Sequence, residues 1–311
     1  MIALAFDTSN YTTSVAAFDG ENGVNASRLL DVEQGMLGLR QSDALFAHVK
    51  RLPEMTDRLF SDLGGAREIA AIGASTRPRA VEGSYMPCFL AGESQARVLS
   101  RALDVPFFAF SHQQGHIAAS LWSSGHMELM DKPHLAWHLS GGTTELLYVT
   151  PEGVGVHAER IGGTTDISAG QLIDRTGKLL GLSFPAGKEM DRLSRTAMDQ
   201  SKFHVKVQGT TFSLSGVQNK VEAYHSGNAA ETAGYALRCL IGAVAEATKN
   251  ALKAYPGCAV VFAGGVSSNS LLRESCAGMP AIFCEPRFST DNALGTAILT
   301  WRAYRYAAAC L

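Results

Sequence analysis

Two histidines set in the run His112-Gln113-Gln114-Gly115-His116 are the sharpest chemical signal in the chain. On an α-helix, positions i and i+4 share one face with Cβ atoms about 6 Å apart, so two imidazoles can chelate a single metal ion. The same spacing also suits two histidines that merely satisfy local partners. His134 and His138 repeat it, but they precede Ser140 in a segment that reads as a strand. There, four residues span about 13 Å, too far for shared chelation. A peptidase of the His-Glu-x-x-His type needs a glutamate as general base after its first histidine. Gln113 stands there instead, and an amide does not accept a proton at neutral pH, so peptidase chemistry is disfavoured.

Glycine- and hydroxyl-rich loops form a second set. Ser140-Gly141-Gly142-Thr143-Thr144 offers open backbone N–H groups and hydroxyls to phosphate oxygens. Gly264-Gly265-Val266-Ser267-Ser268-Asn269 sits between a predicted strand and a predicted helix, whose N-terminus favours anionic or polar ligand groups. Neither is a Gly-x-Gly-x-x-Gly fingerprint or a Walker A loop; singly each reads as a turn, and together they favour a nucleotide. Asp174 falls in mid-helix, suited either to ribose hydroxyls or to a surface pair with Arg175 or Lys178. Asp291 opens the last predicted helix and reads locally as its N-cap. In the first polar turn, Asp7 is the available carboxylate and Ser9 the neighbouring hydroxyl; both are candidate catalytic residues.

The elements that must position these groups follow from the pattern. Strand Ile2 to Phe6, a hydroxyl-rich turn and strand Ser14 to Phe18 form one hairpin. A like arrangement returns at Leu135 to Leu139, Ser140 to Thr144 and Glu145 to Val149. Two such hairpins about 130 residues apart indicate an internal duplication. Ser42 to Leu63 reads as an amphipathic helix despite Pro53, Ile69 to Ser75 as a strand, Glu93 to Leu103 as a helix and Val105 to Phe110 as a strand. Ser111 can cap the helix carrying His112 and His116. Thr165 or Asp166 can cap a helix from about Ser168 to Leu180, stopped by Gly181. A long apolar helix over Ala229 to Ala254, strand Ala259 to Ala263, helix Ser268 to Cys276, strand Ala281 to Cys284 and a closing helix from Asp291 to about Tyr306 complete the chain.

Length and composition agree with two packed lobes. At roughly 150 residues per domain, 311 residues suit two domains or one large α/β unit, and 46% hydrophobic against 18% charged residues supplies a core and excludes a disordered chain. A formal charge of −2 shows no general excess of positive charge for nucleic acid. The basic residues Arg175, Lys178, Lys188, Arg192, Arg195, Lys202 and Lys206 form either a phosphate-contacting stretch or a solvated face. Six cysteines without Cys-x-x-Cys spacing fit reduced thiols rather than a disulfide framework or zinc knuckle. The N-terminus lacks a signal-like segment and no apolar run spans a bilayer, so a soluble cytoplasmic protein without membrane association is expected.

Several ordered motifs resemble the TsaD family, also labelled glycoprotease or O-sialoglycoprotein endopeptidase. The His-x-x-x-His pair and the Ser-Gly-Gly-x-Thr loop match. Ala169-Gly170-Gln171-Leu172-Ile173-Asp174-Arg175 resembles Ala-Gly-Glu-Ala-Phe-Asp-Lys, and Phe184-Pro185-Ala186-Gly187 resembles Tyr-Pro-Gly-Gly. Phe212-Ser213-Leu214-Ser215-Gly216, Gly264 to Asn269 and Asp291-Asn292-Ala293 resemble further family motifs. The resemblance implies an α/β, two-lobed, duplicated fold of the actin, Hsp70 and sugar-kinase kind with a nucleotide cleft between lobes. The expected lobes are residues 1–132 and 133–311, with the closing helix 291–306 packing back on the first. It also implies transfer of a threonylcarbamoyl group from threonylcarbamoyl-AMP to N6 of adenosine 37 in tRNA, with TsaB-like and TsaE-like partner proteins. By that resemblance His112, His116 and Asp291 hold one divalent ion, iron or zinc, and His138 completes its shell. Ser140, Gly141, Gly142, Thr143, Thr144, Asp174, Gly187 and Asn269 line the adenine-nucleotide site.

The chain departs from the family pattern in two places. The family's first loop, Glu-Thr-Ser-Cys-Asp-Glu-Thr, is here Asp7-Thr8-Ser9-Asn10-Tyr11-Thr12-Thr13, so Tyr11 and Thr12 replace two adjacent acids. The Gly-Pro-Gly turn becomes Arg77-Pro78-Arg79. These departures leave two other readings: a same-fold ATPase or carbamoyl- or phosphoryl-transferring enzyme acting on a small substrate, and a non-catalytic complex subunit.

Overall fold

The computed structural model describes residues 1–9, 11–31, 39–288 and 291–310; Asn10 of the first loop and Ser289-Thr290 of the turn before Asp291 lie outside the described residues. The chain forms two compact units, one of residues 1–130, 151–157 and 291–311, the other of residues 131–150 and 158–290. The closing segment thus clusters with the first unit, and the short segment 151–157 does so as well.

The first unit begins with β1 (Ile2–Asp7), β2 (Thr12–Phe18) and β3 (Gly23–Leu29), an antiparallel meander whose first two strands are buried throughout. Helix α1 (Gln41–Asp62) buries Ala44, His48, Leu52, Met55 and Leu59 at helical spacing, and Pro53 falls on its exposed face. Then come β4 (Ile69–Arg77), α2 (Phe89–Leu103), β5 (Phe107–Ser111) and α3 (His112–Ser123). Helix α2 thus starts four residues before the expected Glu93. The sheet order is β3-β2-β1-β4-β5, with β4 parallel to β1 and to β5. Buried strands of this kind read as near-continuous apolar runs. Ile2, Leu4, Phe6, Val15, Ile72 and Ala74 accordingly pack with Leu52, Met55 and Leu59 in one cluster.

The second unit holds β6 (His134–Leu139), most of β7 (Thr144–Glu152) and β8 (Gly155–Thr164), α4 (Ala169–Leu179), α5 (Gly187–Ser194), β9 (Thr211–Phe212), α6 (Ser215–Tyr224) and α7 (Ala229–Ala254). It is completed by β10 (Val260–Ala263), α8 (Ser270–Ser275) and β11 (Ala281–Phe283). Its sheet runs β11-β10-β6-β7-β8-β9. The β6–β7 hairpin, pairing Leu139 with Thr144, repeats the β1–β2 hairpin, pairing Asp7 with Ser14. Trp137 is fully buried, and its indole N–H donates to Thr248 Oγ1 on α7 at 2.9 Å. Helix α7 supplies Ala233, Leu237, Leu240, Val244 and Ala247 to the same core.

The cap of α4 differs from expectation. Ser168 is the N-cap, in a reciprocal box with Gln171. Asp166 instead accepts hydrogen bonds from the Ser213 and Ser215 hydroxyls and from the Leu214 and Ser215 backbone N–H groups. No helix among the described residues is long and apolar enough to cross a membrane.

Helix α9 (Leu294–Ala309) returns to the first unit and packs on α3, β1 and β4. It starts three residues after the expected Asp291, with Ala293 at the N-cap position, and just before it the Asn292 side chain accepts the Leu294 N–H at 3.1 Å. Its crossing with α3 is backbone against backbone: a Cβ on Gly295 would collide with the Gly115 carbonyl, and one on Gly115 would lie 2.9 Å from Thr296 Oγ1. Glycine is needed at both positions for this approach.

Candidate metal centre and nucleotide pocket

The close crossing of α3 and α9 explains a cluster at their N-terminal ends. Ser111, extended at φ −87°, caps α3 by accepting the Gln114 N–H while Gln114 Oε1 accepts the Ser111 N–H. This fixes the first turn, which carries His112, and His116 follows one turn later. Asp291 reaches the same point because the Ala293 N–H is held by Ser14 Oγ at 2.9 Å and by Asn25 Oδ1 at 3.1 Å. His112 Nε2 and His116 Nε2 are 2.9 Å apart, and Asp291 Oδ1 lies 3.2 Å from His116 Nε2 and 3.4 Å from His112 Nε2. One ligand atom from each residue falls within 4.8 Å of the others.

These residues fit a divalent cation. The separations between donor atoms match the edges of a coordination polyhedron whose vertices lie about 2.1 Å from its centre. Behind His112, its Nδ1–H donates to Asp7 Oδ2 at 2.8 Å, an arrangement that fixes the tautomer and leaves Nε2 free as a ligand. Asp7 is 1% exposed and fully engaged: Oδ1 accepts the Ser9 N–H at 2.9 Å, and Oδ2 also accepts the Ser75 hydroxyl at 2.6 Å. Burial opposes charge on His112, but the Asp7 and Asp291 carboxylates outweigh it and raise its pKa. Burial likewise raises the Asp7 and Asp291 carboxyls, yet His112 beside both, and His116 beside Asp291, hold them below their ordinary value. The two carboxylates thus favour a protonated imidazole at His112, and a cation bound by this donor set would compete with that proton.

The structure therefore brings together His112, His116, Asp291, Asp7 and Ser9, whose Oγ is 3.4 Å from His112 Nε2. His138 lies on β6 in the second unit, its Cα paired with Glu145 and Ala263. Of the two residues that replace acids in the first loop, Thr12 is buried on β2 and Tyr11 is half-buried in the turn. Ser75 was not anticipated; its only sequence signal is a small hydroxyl near the end of a strand beside β1. It also meets Thr296 Oγ1 at 2.9 Å.

The second unit carries a separate cavity of about 440 Å³, lined by Gly141, Gly170, Ile173, Asp174, Pro185, Gly187, Lys188, Asp191, Gly265, Val266, Ser268 and Asn269. Of the expected nucleotide residues, Gly141, Asp174, Gly187 and Asn269 line it. Ser140, Gly142, Thr143 and Thr144 do not. Ser140 Oγ and Thr144 Oγ1 instead accept the Thr143 and Ala169 N–H groups, holding the turn and its junction with α4. Gly170 approaches Gly141 so closely that any side chain there would displace the loop. Asp174 Oδ1 accepts the Ala186 N–H at 2.9 Å. Asn269 caps α8 by accepting the Leu272 N–H and donates to Asp191 Oδ1 at 3.0 Å. Asp191 and Lys188 are cavity residues that sequence reasoning did not single out for this site. Lys188 follows Gly187 directly and Asp191 comes about one helical turn after it, and that proximity is the only signal that pointed to them.

Of the basic stretch, Arg192 pairs with Glu189, Arg195 with Glu274 at 2.6 Å, and Arg175 donates to Gln218. Lys178, Lys188, Lys202 and Lys206 have no ion-pair partner among the described residues.

A sequence model described as TsaD, tRNA N6-adenosine threonylcarbamoyltransferase, matches residues 34–298. A protein named tRNA N6-adenosine threonylcarbamoyltransferase from Thermus thermophilus is 32% identical over 315 aligned positions, covering 98% of this chain and 94% of the relative. Among solved structures, HypF of T. kodakarensis is 14% identical with a TM-score of 0.63, over 99% of this chain and 48% of its own. An activator of 2-hydroxyisocaproyl-CoA dehydratase from Clostridium difficile, with bound ADPNP, is 14% identical with a TM-score of 0.55, covering 100% and 98%. These structural likenesses establish the fold, a duplicated α/β architecture of the actin, Hsp70 and sugar-kinase kind. With the family model spanning most of the sequence and a relative matched along almost its entire length, the chain belongs to the TsaD family.

Proposed function

We propose that the protein transfers a threonylcarbamoyl group from threonylcarbamoyl-AMP to N6 of adenosine 37 in tRNA. The observation that carries this reading is the convergence of His112, His116 and Asp291, with Asp7 behind His112, in a chain of this family. His112, His116 and Asp291 would hold one divalent ion, iron or zinc. Such an ion supplies Lewis-acid polarisation of a bound donor's oxygen.

The chain's own residues do the rest. Asp7 acts as a positioning residue: its carboxylate is spent on Ser9, Ser75 and His112, so it orients the imidazole rather than accepting a proton from substrate. In the second unit, Asp174 is fixed through Oδ1 by Ala186, and its other oxygen serves the ribose hydroxyls. Open backbone at Gly141 and Gly187 admits the nucleotide closely, and Asn269, locked by Asp191, presents a fixed amide to it. The donor is a mixed anhydride and already activated, so no covalent nucleophile is required. The acceptor amine is a weak nucleophile because its lone pair is delocalised into the purine. Most of the rate then comes from positioning and from donors aimed at the charge that develops on the carbonyl.

The test is direct. Purified protein, tRNA, threonine, bicarbonate, ATP, the adenylate-forming enzyme and TsaB-like and TsaE-like partners are combined, and nucleosides are analysed after digestion. Threonylcarbamoyladenosine in the tRNA is the expected result. ATP turnover that responds to a small metabolite and ignores tRNA would select a same-fold enzyme acting on that metabolite, the reading favoured by Tyr11-Thr12 in place of acids.

A further inference from the structure

The segment from Arg77 to Cys88 begins and ends at the candidate metal centre. Arg77 is two residues beyond Ser75, which donates to Asp7, and its Cα is paired with that of Ser111, the residue before His112. The next carbonyl, Pro78 O, accepts the Gln113 N–H at 3.0 Å in the first turn of α3. At the other end, the Cys88 carbonyl accepts the Thr8 hydroxyl at 2.9 Å, between Asp7 and Ser9. Between these anchors the chain folds on itself: Arg79 N–H donates to Ser84 Oγ at 3.0 Å, Ser84 N–H to Val81 O at 3.2 Å, and Gly83 turns the corner at φ +74°.

This built loop presents an unusual set of side chains. Arg77 is exposed and its guanidinium has no partner among the described residues. Arg79 is exposed too, Tyr85 is 62% exposed, and Glu82 is the loop's only acid. A guanidinium pairs with phosphate oxygens through two parallel N–H bonds. An exposed aromatic ring offers a stacking face to an unpaired base. Both groups stand where an acceptor must arrive if His112, His116 and Asp291 form part of the transfer site.

We infer that Arg77, Arg79 and Tyr85 form an acceptor-binding loop for single-stranded RNA, the two arginines holding backbone phosphates and Tyr85 stacking on a splayed base next to the reacting adenine. This inference rests on the transfer reading proposed above and assigns the acceptor's side of that site to particular residues. A protein partner on the same loop is the competing occupant, which the test below separates.

The experiment measures affinity for an unmodified tRNA transcript carrying adenosine 37, over a series of salt concentrations, for the wild type, R77A/R79A, R77Q, Y85A and Y85F. Nucleotide affinity and metal content are measured in parallel and are expected to be unchanged, since none of these residues belongs to the donor set or the cavity. Removing two phosphate contacts should weaken binding at low salt and reduce the log–log salt slope by about 1.4 for a single strand. R77Q should do so by about half of that slope change. Y85A should lose about tenfold in affinity with the salt slope unchanged, and Y85F should keep the wild-type value. If the wild type binds the transcript and R77A/R79A and Y85A match it in affinity and slope, the loop assignment is overturned and the transfer reading stands. If those variants bind RNA normally but fail only when the partner proteins are required, the loop is a protein interface and the inference is again overturned. If the wild type neither binds nor modifies tRNA with donor and partners supplied, the transfer reading falls and the inference with it.

Discussion

Replacing His112 by alanine removes one of three converging donor atoms and the group that Asp7 orients. Anaerobically purified His112→Ala is expected to retain little metal by elemental analysis, and unchanged content would remove the ligand assignment. Asp7→Asn is a finer probe, because the amide oxygen still accepts the Nδ1–H but carries no charge. Loss of such an outer carboxylate costs about 10- to 100-fold in metal affinity, to be measured by competition with a chelating dye. At this scale the sequence was partly legible. The i, i+4 pair is visible because both members sit on one helix. Asp291 was not, because it lies 175 positions from His116 and looks like an ordinary helix cap. Only the resemblance to the TsaD family pointed to it as a ligand, and nothing local announces that the helix begins later, with Ala293 at its N-cap position. Ser75 was invisible for the same reason: its partners come from β1 and α9.

Among the elements, the α3–α9 crossing is the joint that the centre depends on. Gly295→Ala forces a methyl group against the Gly115 carbonyl; overpacking of this kind costs about 1–3 kcal/mol. Thermal unfolding is expected at lower temperature, with metal content falling alongside, whereas an exposed-face change such as Arg305→Ala should alter neither. A second element-scale prediction concerns Asp166. Its carboxyl has an exposed side, and burial of the remainder opposes ionisation, but the Ser213 and Ser215 hydroxyls and two backbone N–H groups hold its pKa well below the ordinary value. The stability it contributes is therefore fully present above the unfolded value, about 3.9, and is lost as pH falls through the lower folded value. Asp166→Asn should cost about 1 kcal/mol near neutrality, discounted for solvent screening. The gap from wild type in denaturant titrations should narrow below about pH 4. Hairpins, the α3 cap and most helices were readable from apolar period and hydroxyl position. The α4 cap was misassigned because Ser168, Thr165 and Asp166 all have capping chemistry, and only the return of Ser213 to Ser215 shows which of them is occupied elsewhere.

Across the whole molecule, each candidate site is assembled within one unit: the donor set from residues of the first, the cavity from residues of the second. Asp174→Asn preserves an acceptor for Ala186 but weakens the group offered to ribose. It is expected to lower nucleotide affinity about tenfold, the equivalent of one charge-assisted hydrogen bond, while metal content stays at the wild-type level. Calorimetry with AMP and elemental analysis of the same sample check both halves. The duplicated hairpins made the two-part architecture legible at this scale. The closing helix 291–306 was expected to return to the first unit, but residues 151–157 were not, because a turn between two strand ends carries no hydrophobic pattern that says which unit it joins.

That first unit is built from three stretches of chain, and its last stretch supplies Asp291. During synthesis the ribosome therefore releases α3 with both imidazoles long before the carboxylate that faces them exists. An emerging polypeptide carries a two-donor site at most, a weak trap for whichever ion is at hand. If the proposed ion binds, the full three-donor set would be available to it only after the third stretch has docked, so the site would complete the folding of this unit rather than seed it.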